Sequence, residues 1–108
     1  MVEYSDFSKI DIRVGIIKKV DEFPEAKKPA YKLTIDFGSD IGLKNSSAQI
    51  TNYKKEELEG RKVVAVVNFN PKQVANFISE VLVLGVLTDQ GVKLLEVDKA
   101  ARIGDKIG

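Results

Sequence analysis

Seven residues in the first third of the chain, YKLTIDF from Tyr31 to Phe37, leave little freedom in what they can become. Tyr31, Leu33, Ile35 and Phe37 fall on one parity and Lys32, Thr34 and Asp36 on the other. An extended backbone puts alternate side chains on opposite faces, so the run predicts a strand with one buried face, ended by Gly38.

The flanking segments predict partners for it. Ile10, Ile12, Val14 and Ile16 alternate with Asp11, Arg13 and Gly15, which predicts a strand buried on one face and continuing to Val20. Gly15 lies on the opposite parity, where a glycine permits a bulge or the sharp curl of a small barrel. Ser5 or Asp6 is expected to cap a short turn before this strand. Phe23-Pro24 and Pro29 break regular pairing, so Glu22 to Ala30 reads as a loop carrying Lys27 and Lys28.

Leu43 to Ile50, LKNSSAQI, predicts an edge strand with Ser46, Ser47 and Gln49 exposed, where they could meet a ligand. Thr51 or Asn52 then caps a short helix over Lys54 to Glu59, terminated by Gly60. Lys62 to Asn68, KVVAVVN, and Val81 to Thr88, VLVLGVLT, are apolar on both parities. They predict central strands, buried on both sides or shared with a partner. Asp89-Gln90-Gly91 offers turn residues joining the second of these to Val92 to Val97 in a hairpin, and a polar tail, DKAARIGDKIG, closes the chain. Three strands, a short helix, a strand, a loop, a strand and an extra strand suit an all-β fold: a five-stranded Greek-key OB-fold barrel with a short helix before strand 4, in one domain spanning residues 1–108.

Composition narrows the chemistry. No histidine and no cysteine occur, which removes imidazole and thiolate metal sites and the side chain most used as a general base near neutrality. Catalysis is disfavoured, and no cofactor or metal is expected. No apolar run approaches the roughly 20 residues that cross a bilayer, and MVEYSDFSK lacks the pattern of a signal peptide, so a cytoplasmic protein without membrane insertion is expected.

Seventeen Lys and Arg against sixteen Asp and Glu leave no global basic excess. Nucleic-acid binding would have to use a local patch. Two acid-free stretches offer one: Ala26 to Lys32, with Lys27, Lys28 and Lys32, and Gly60 to Ser79, with Arg61, Lys62 and Lys72. Arg13 and Lys32 point away from the apolar faces of their strands, towards solvent or a nucleic-acid backbone. Tyr31 shares parity with Leu33 and Ile35, which favours a core ring over a base-stacking one. In Asn68-Phe69-Asn70-Pro71-Lys72, Asn70 can cap and Pro71 suits a first helical position, so the amides there together with Lys72 would attract a phosphate; an ordinary capped turn with a solvated lysine is the plainer reading. Ser79 has no histidine to activate it, and with Glu80 it suits a structural or binding duty.

Taken together, DIRVGIIKKVDEFPEAKKPAYKLTIDFG, SSAQIT and VVAVVNFNPKQVANFISEVLVLG resemble the CsaA-type proteins of the tRNA-binding domain family, whose wider members are appended to methionyl- and phenylalanyl-tRNA synthetases. The resemblance runs from about Phe7 to the C-terminus. It implies an OB-fold whose N- and C-terminal extensions build a homodimer, binding tRNA by shape without catalysis. The RNA-facing positions it implies are Arg13, Lys32, Ser46, Ser47, Asn68, Lys72, Ser79 and Glu80. CsaA-type proteins are also described as protein-export chaperones, which makes unfolded or pre-secretory proteins the alternative partner. Ala75-Asn76-Phe77 stands here where many members have a basic residue and glycine, and Phe69 and Phe77 are the side chains that would take an apolar peptide.

Overall fold

In a computed structural model describing residues 1–108, the alternating segment forms a strand with a partner on each edge. The elements in chain order are α1 (Tyr4–Phe7), β1 (Ile12–Glu22), β2 (Tyr31–Asp36), β3 (Leu43–Ala48), α2 (Lys55–Leu58), β4 (Lys62–Val66), β5 (Lys72–Val74), β6 (Phe77–Ser79), β7 (Leu82–Val83), β8 (Gly85–Thr88) and β9 (Gly91–Leu94). Antiparallel pairing sets β3, β2, β1, β4 and β7 side by side in that order. The sheet curls until its ends meet, where the Glu80 amide donates to the Asn45 carbonyl at 2.8 Å. The result is a nearly closed five-stranded barrel of the OB type, with α2 placed before β4 as the order of elements predicts.

Tyr31, Leu33, Ile35 and Phe37 all enter the barrel, packed with Ile17, Leu58, Val63, Ala65 and Val81. Leu33, Ile35 and Phe37, each fully buried, contribute about 1.5–3 kcal/mol apiece relative to exposure. The hydroxyl of Tyr31 is satisfied by the Tyr53 carbonyl at 2.9 Å, which lets a polar tip sit at the edge of the core.

β1 is buried on both faces rather than one. Ile17 packs inside the barrel, while Ile12 packs outside it with Val64 and Val66, under Val97 and Ile107. Covering that outer face is the work of the tail. Val14 donates to Asp105 and accepts from Gly104 at 2.9 and 2.7 Å, and Ile107 donates to Ile12 at 2.8 Å. The polar tail is therefore a strap that pairs with the first half of β1, on the edge that β2 takes only from Ile16 onward. Gly104 runs so close to β2's end that a Cβ there would lie 2.8 Å from the Phe37 carbonyl oxygen. Ile10 lies before the strand and is exposed. The register slips between Ile17 and Lys19, which returns Val20 to the core.

Three other expectations change. Val81 to Thr88 is not one central strand: β7 pairs with β4, regular pairing is interrupted at Leu84, and β8 pairs instead with β9 across the Asp89-Gln90 turn. Leu82, Val86 and Leu87 consequently stay exposed within this chain. The helix α2 is capped at Lys54, whose amide donates to Glu57 at 2.7 Å, while Asn52 holds the β8–β9 hairpin through Val92 at 3.1 Å. No helix starts at Asn70-Pro71; the chain stays extended into the β5–β6 hairpin, with Ala75 at φ 51° in its turn. Proline holds φ near about −65°, a value that helices and extended segments share, so local pattern could not separate them.

A candidate nucleic-acid interface

One groove collects the lysines. The loop between β1 and β2 supplies Lys27 and Lys28, the β5–β6 hairpin supplies Lys72, Val74 and Ala75, and Ser47 and Gln49 lie between them. The space is about 410 Å³, open to solvent, and Glu25 is the one acid on its rim. Lys27, Lys28 and Lys72 are all exposed. The two loops that flank an OB barrel's mouth thus bring three cations from distant parts of the chain to one place.

The other cations singled out from the sequence go elsewhere. Arg61 lies over the Tyr53 ring at 5.0 Å and approaches Glu96 at 3.8 Å. Lys62 donates to the Ala101 and Lys99 carbonyls at 2.6 and 3.2 Å, holding the start of the strap. Arg13 is bound by Asp11 through Nε at 2.6 Å and by the Gly104 carbonyl at 3.0 Å. The hydrogen bond to Asp11, with the charges of Asp11 and Asp40, raises the Arg13 pKa above its ordinary value against the opposing effect of burial. Its charge is spent inside the fold. Lys32 sits with its ammonium 5.4 Å from the Phe23 ring and 5.9 Å from the Phe77 ring.

Ser46, Ser47, Ser79 and Glu80 meet at the seam where the barrel closes. The hydroxyl of Ser46 donates to the Val81 carbonyl at 2.9 Å, and this residue is buried, not exposed as its strand's polarity predicts. The Ser47 amide donates to the Ser79 hydroxyl at 3.0 Å, and the Asn45 amide to the Glu80 carboxylate at 2.9 Å. Lys44 approaches the same carboxylate at 3.8 Å. Side chains thus satisfy backbone groups of β3 that no regular strand pairs. Replacing Ser46 with alanine leaves the Val81 carbonyl unpaired, and chemical denaturation should show a loss of about 1–2 kcal/mol.

Asn68 is spoken for as well. Its side chain accepts from the Asp11 amide at 2.9 Å and donates to the Lys9 carbonyl at 2.8 Å, pinning the N-terminal segment to the end of β4. Phe69 remains half-exposed, whereas Phe77 packs edge-on against Phe23 with ring centroids 5.6 Å apart. Gln49 joins the groove as its exposed position predicts, and Val74 and Ala75 join it without having been singled out as binding residues. The exposed parity of Gln49, just past the end of β3, was legible; the hairpin carrying the other two was hidden by Pro71.

An OB barrel with a lysine-lined groove between its mouth loops is the arrangement of an oligonucleotide-binding module. Residues 12–106 match the family model described as "Putative tRNA binding domain", and the chain belongs to that family. Among solved structures it is similar to the CsaA chaperone protein from Picrophilus torridus, at 68% identity and TM-score 0.96 with 100% of each chain covered. It is also similar to the chaperone CsaA from Bacillus anthracis str. Ames, at 49% identity and TM-score 0.92, covering 100% of this chain and 99% of that one. A curated relative, a methionine–tRNA ligase from Neisseria meningitidis serogroup C (strain 053442), is 38% identical over 107 residues, covering 97% of this chain. The chain spans 16% of that ligase's length. No helix is long and apolar enough to cross a membrane.

Proposed function

We propose that residues 1–108 act as one tRNA-binding unit, without catalysis or cofactor, that works as a homodimer and recognises the shape of tRNA rather than its sequence. The convergence of Lys27, Lys28 and Lys72 on one groove carries this reading. Their ammonium groups hold the phosphate backbone, and Ser47 and Gln49 offer hydrogen bonds to ribose or bases. Ser46, Ser79 and Glu80 support the groove by closing the barrel, and Arg13 and Asn68 by tying down the two chain ends. Exposed Leu82, Val86 and Leu87, with Val2 and Tyr4 near the N-terminus, are apolar surface that a second copy would cover. Binding to tRNA sets its work in the cytoplasm.

The test is a tRNA titration at several salt concentrations, followed by light scattering. One dimer per tRNA is expected, with affinity falling as salt rises. Replacing Lys27, Lys28 and Lys72 together with alanine should flatten the log–log salt dependence by roughly 0.7–0.9 for each phosphate that no longer meets a lysine. Salt-independent binding, or a triple variant with the parent's slope, would sink the proposal.

A second reading draws on an apolar groove of about 610 Å³ beside the first, lined by Ile50, Val81, Leu84, Leu87 and Val92. An extended apolar segment of an unfolded protein would fit there, with exposed Phe69 nearer the barrel seam. Lys72 and Ser47 border both grooves, so tRNA and an unfolded client should compete if this reading holds.

A further inference from the structure

We infer that Lys32 is a positioning residue, clamping the β1–β2 loop to the β5–β6 hairpin through the Phe23 and Phe77 rings and so setting the width of the lysine groove. Lys32 does not line the groove. It lies one wall back, on β2, opposite Asp21 of β1 and Ser47 of β3. Phe23 is buried at the root of the loop that carries Lys27 and Lys28, and Phe77 opens β6 directly behind the hairpin turn that carries Ala75. The two rings meet at 64° with the ammonium facing both, a geometry in which each ring's negative face attracts the cation.

No backbone hydrogen bond joins the loop to the hairpin. Lys27 and Lys28 on one wall repel Lys72 on the other, which pushes an empty groove open. The aromatic–ammonium cluster opposes that push at the base of both walls. The groove is then held near the spacing a phosphate needs before tRNA arrives, and less ordering remains to be done on binding.

This inference rests on the tRNA reading for its functional consequence, but the clamp has a readout of its own. Amide hydrogen exchange of residues 24–30 and 72–79 should speed up in free Phe77→Leu and Lys32→Gln proteins, and return to the parent rate in Phe77→Tyr. Both damaging variants should weaken tRNA binding about fivefold at fixed salt, with an unchanged salt slope, since neither removes a cation that meets a phosphate. Lys32→Gln with a flatter slope and parent exchange rates would make Lys32 a direct phosphate ligand and overturn the clamp. Phe77→Leu with parent exchange and parent affinity would also overturn it. Should the parent protein show no salt-dependent tRNA binding, the tRNA reading fails by itself, and exchange alone decides the clamp.

Discussion

Replacing Gly15 with valine is expected to destabilise the fold by about 3 kcal/mol or more, at the upper end of what overpacking a core costs. Gly15 is buried on β1, and a Cβ added there would come within 2.7 Å of Ile35 Cγ2 and Phe37 Cε1. Both neighbours are fully buried, so neither has room to swing away. In a domain of this size each kcal/mol lowers the melting temperature by about 4–8 °C, so thermal unfolding should show the loss directly. Gly15→Ala should lose less. Combining Gly15→Ala with Phe37→Leu should cost less than the sum of the two single changes, because the smaller side chain relieves the clash. Strict additivity would show that the Cβ meets no real obstruction.

The second large effect is expected at Phe37 itself. Phe37→Ala removes a fully buried ring that fills the space over Gly15, at a cost of about 3–5 kcal/mol. Domains of this kind have only about 5–15 kcal/mol in total, so the variant should be marginal or unfolded at ambient temperature. Urea denaturation should move the midpoint and keep the slope if the barrel still unfolds in one step. Gly15 and Phe37 form one unit: the glycine exists because the ring is there. A loss below about 1 kcal/mol for Phe37→Ala would mean that the barrel refills the cavity, contrary to the dense packing of protein interiors.

Strand identity was readable wherever a period of two was clean. YKLTIDF predicted both the strand and its inward face, because alternation on a pleated backbone leaves one choice. The same rule half-failed at β1. Ile12 and Val14 have a buried parity, but so do Gly15 and Ile17, since the strap covers the outer face. VLVLGVLT divides for a related reason: its two-faced apolarity predicts a central strand, buried on both sides or shared with a partner, whereas regular pairing is interrupted at Leu84 and Leu82, Val86 and Leu87 are exposed within this chain.

The site divides the same way. Chemistry was legible one residue at a time: a lysine near an acid-free stretch, a serine on an edge strand, an arginine facing away from an apolar row. Whether those groups serve a ligand or the fold depends on neighbours that are distant in sequence. Arg13 is held by Gly104 and Asn68 by Lys9, while Ser46 is held by Val81. Lys27, Lys28 and Lys72 remain exposed on one groove.

By itself, then, the order of residues determined a curled all-β barrel with a helix before the fourth barrel strand, since alternation and turn chemistry act locally. Only the tertiary structure decided which polar groups close the seam, which cations are neutralised, and which three lysines share a groove. Those outcomes depend on hydrogen bonds and charge pairs between segments that meet only when the sheet has closed.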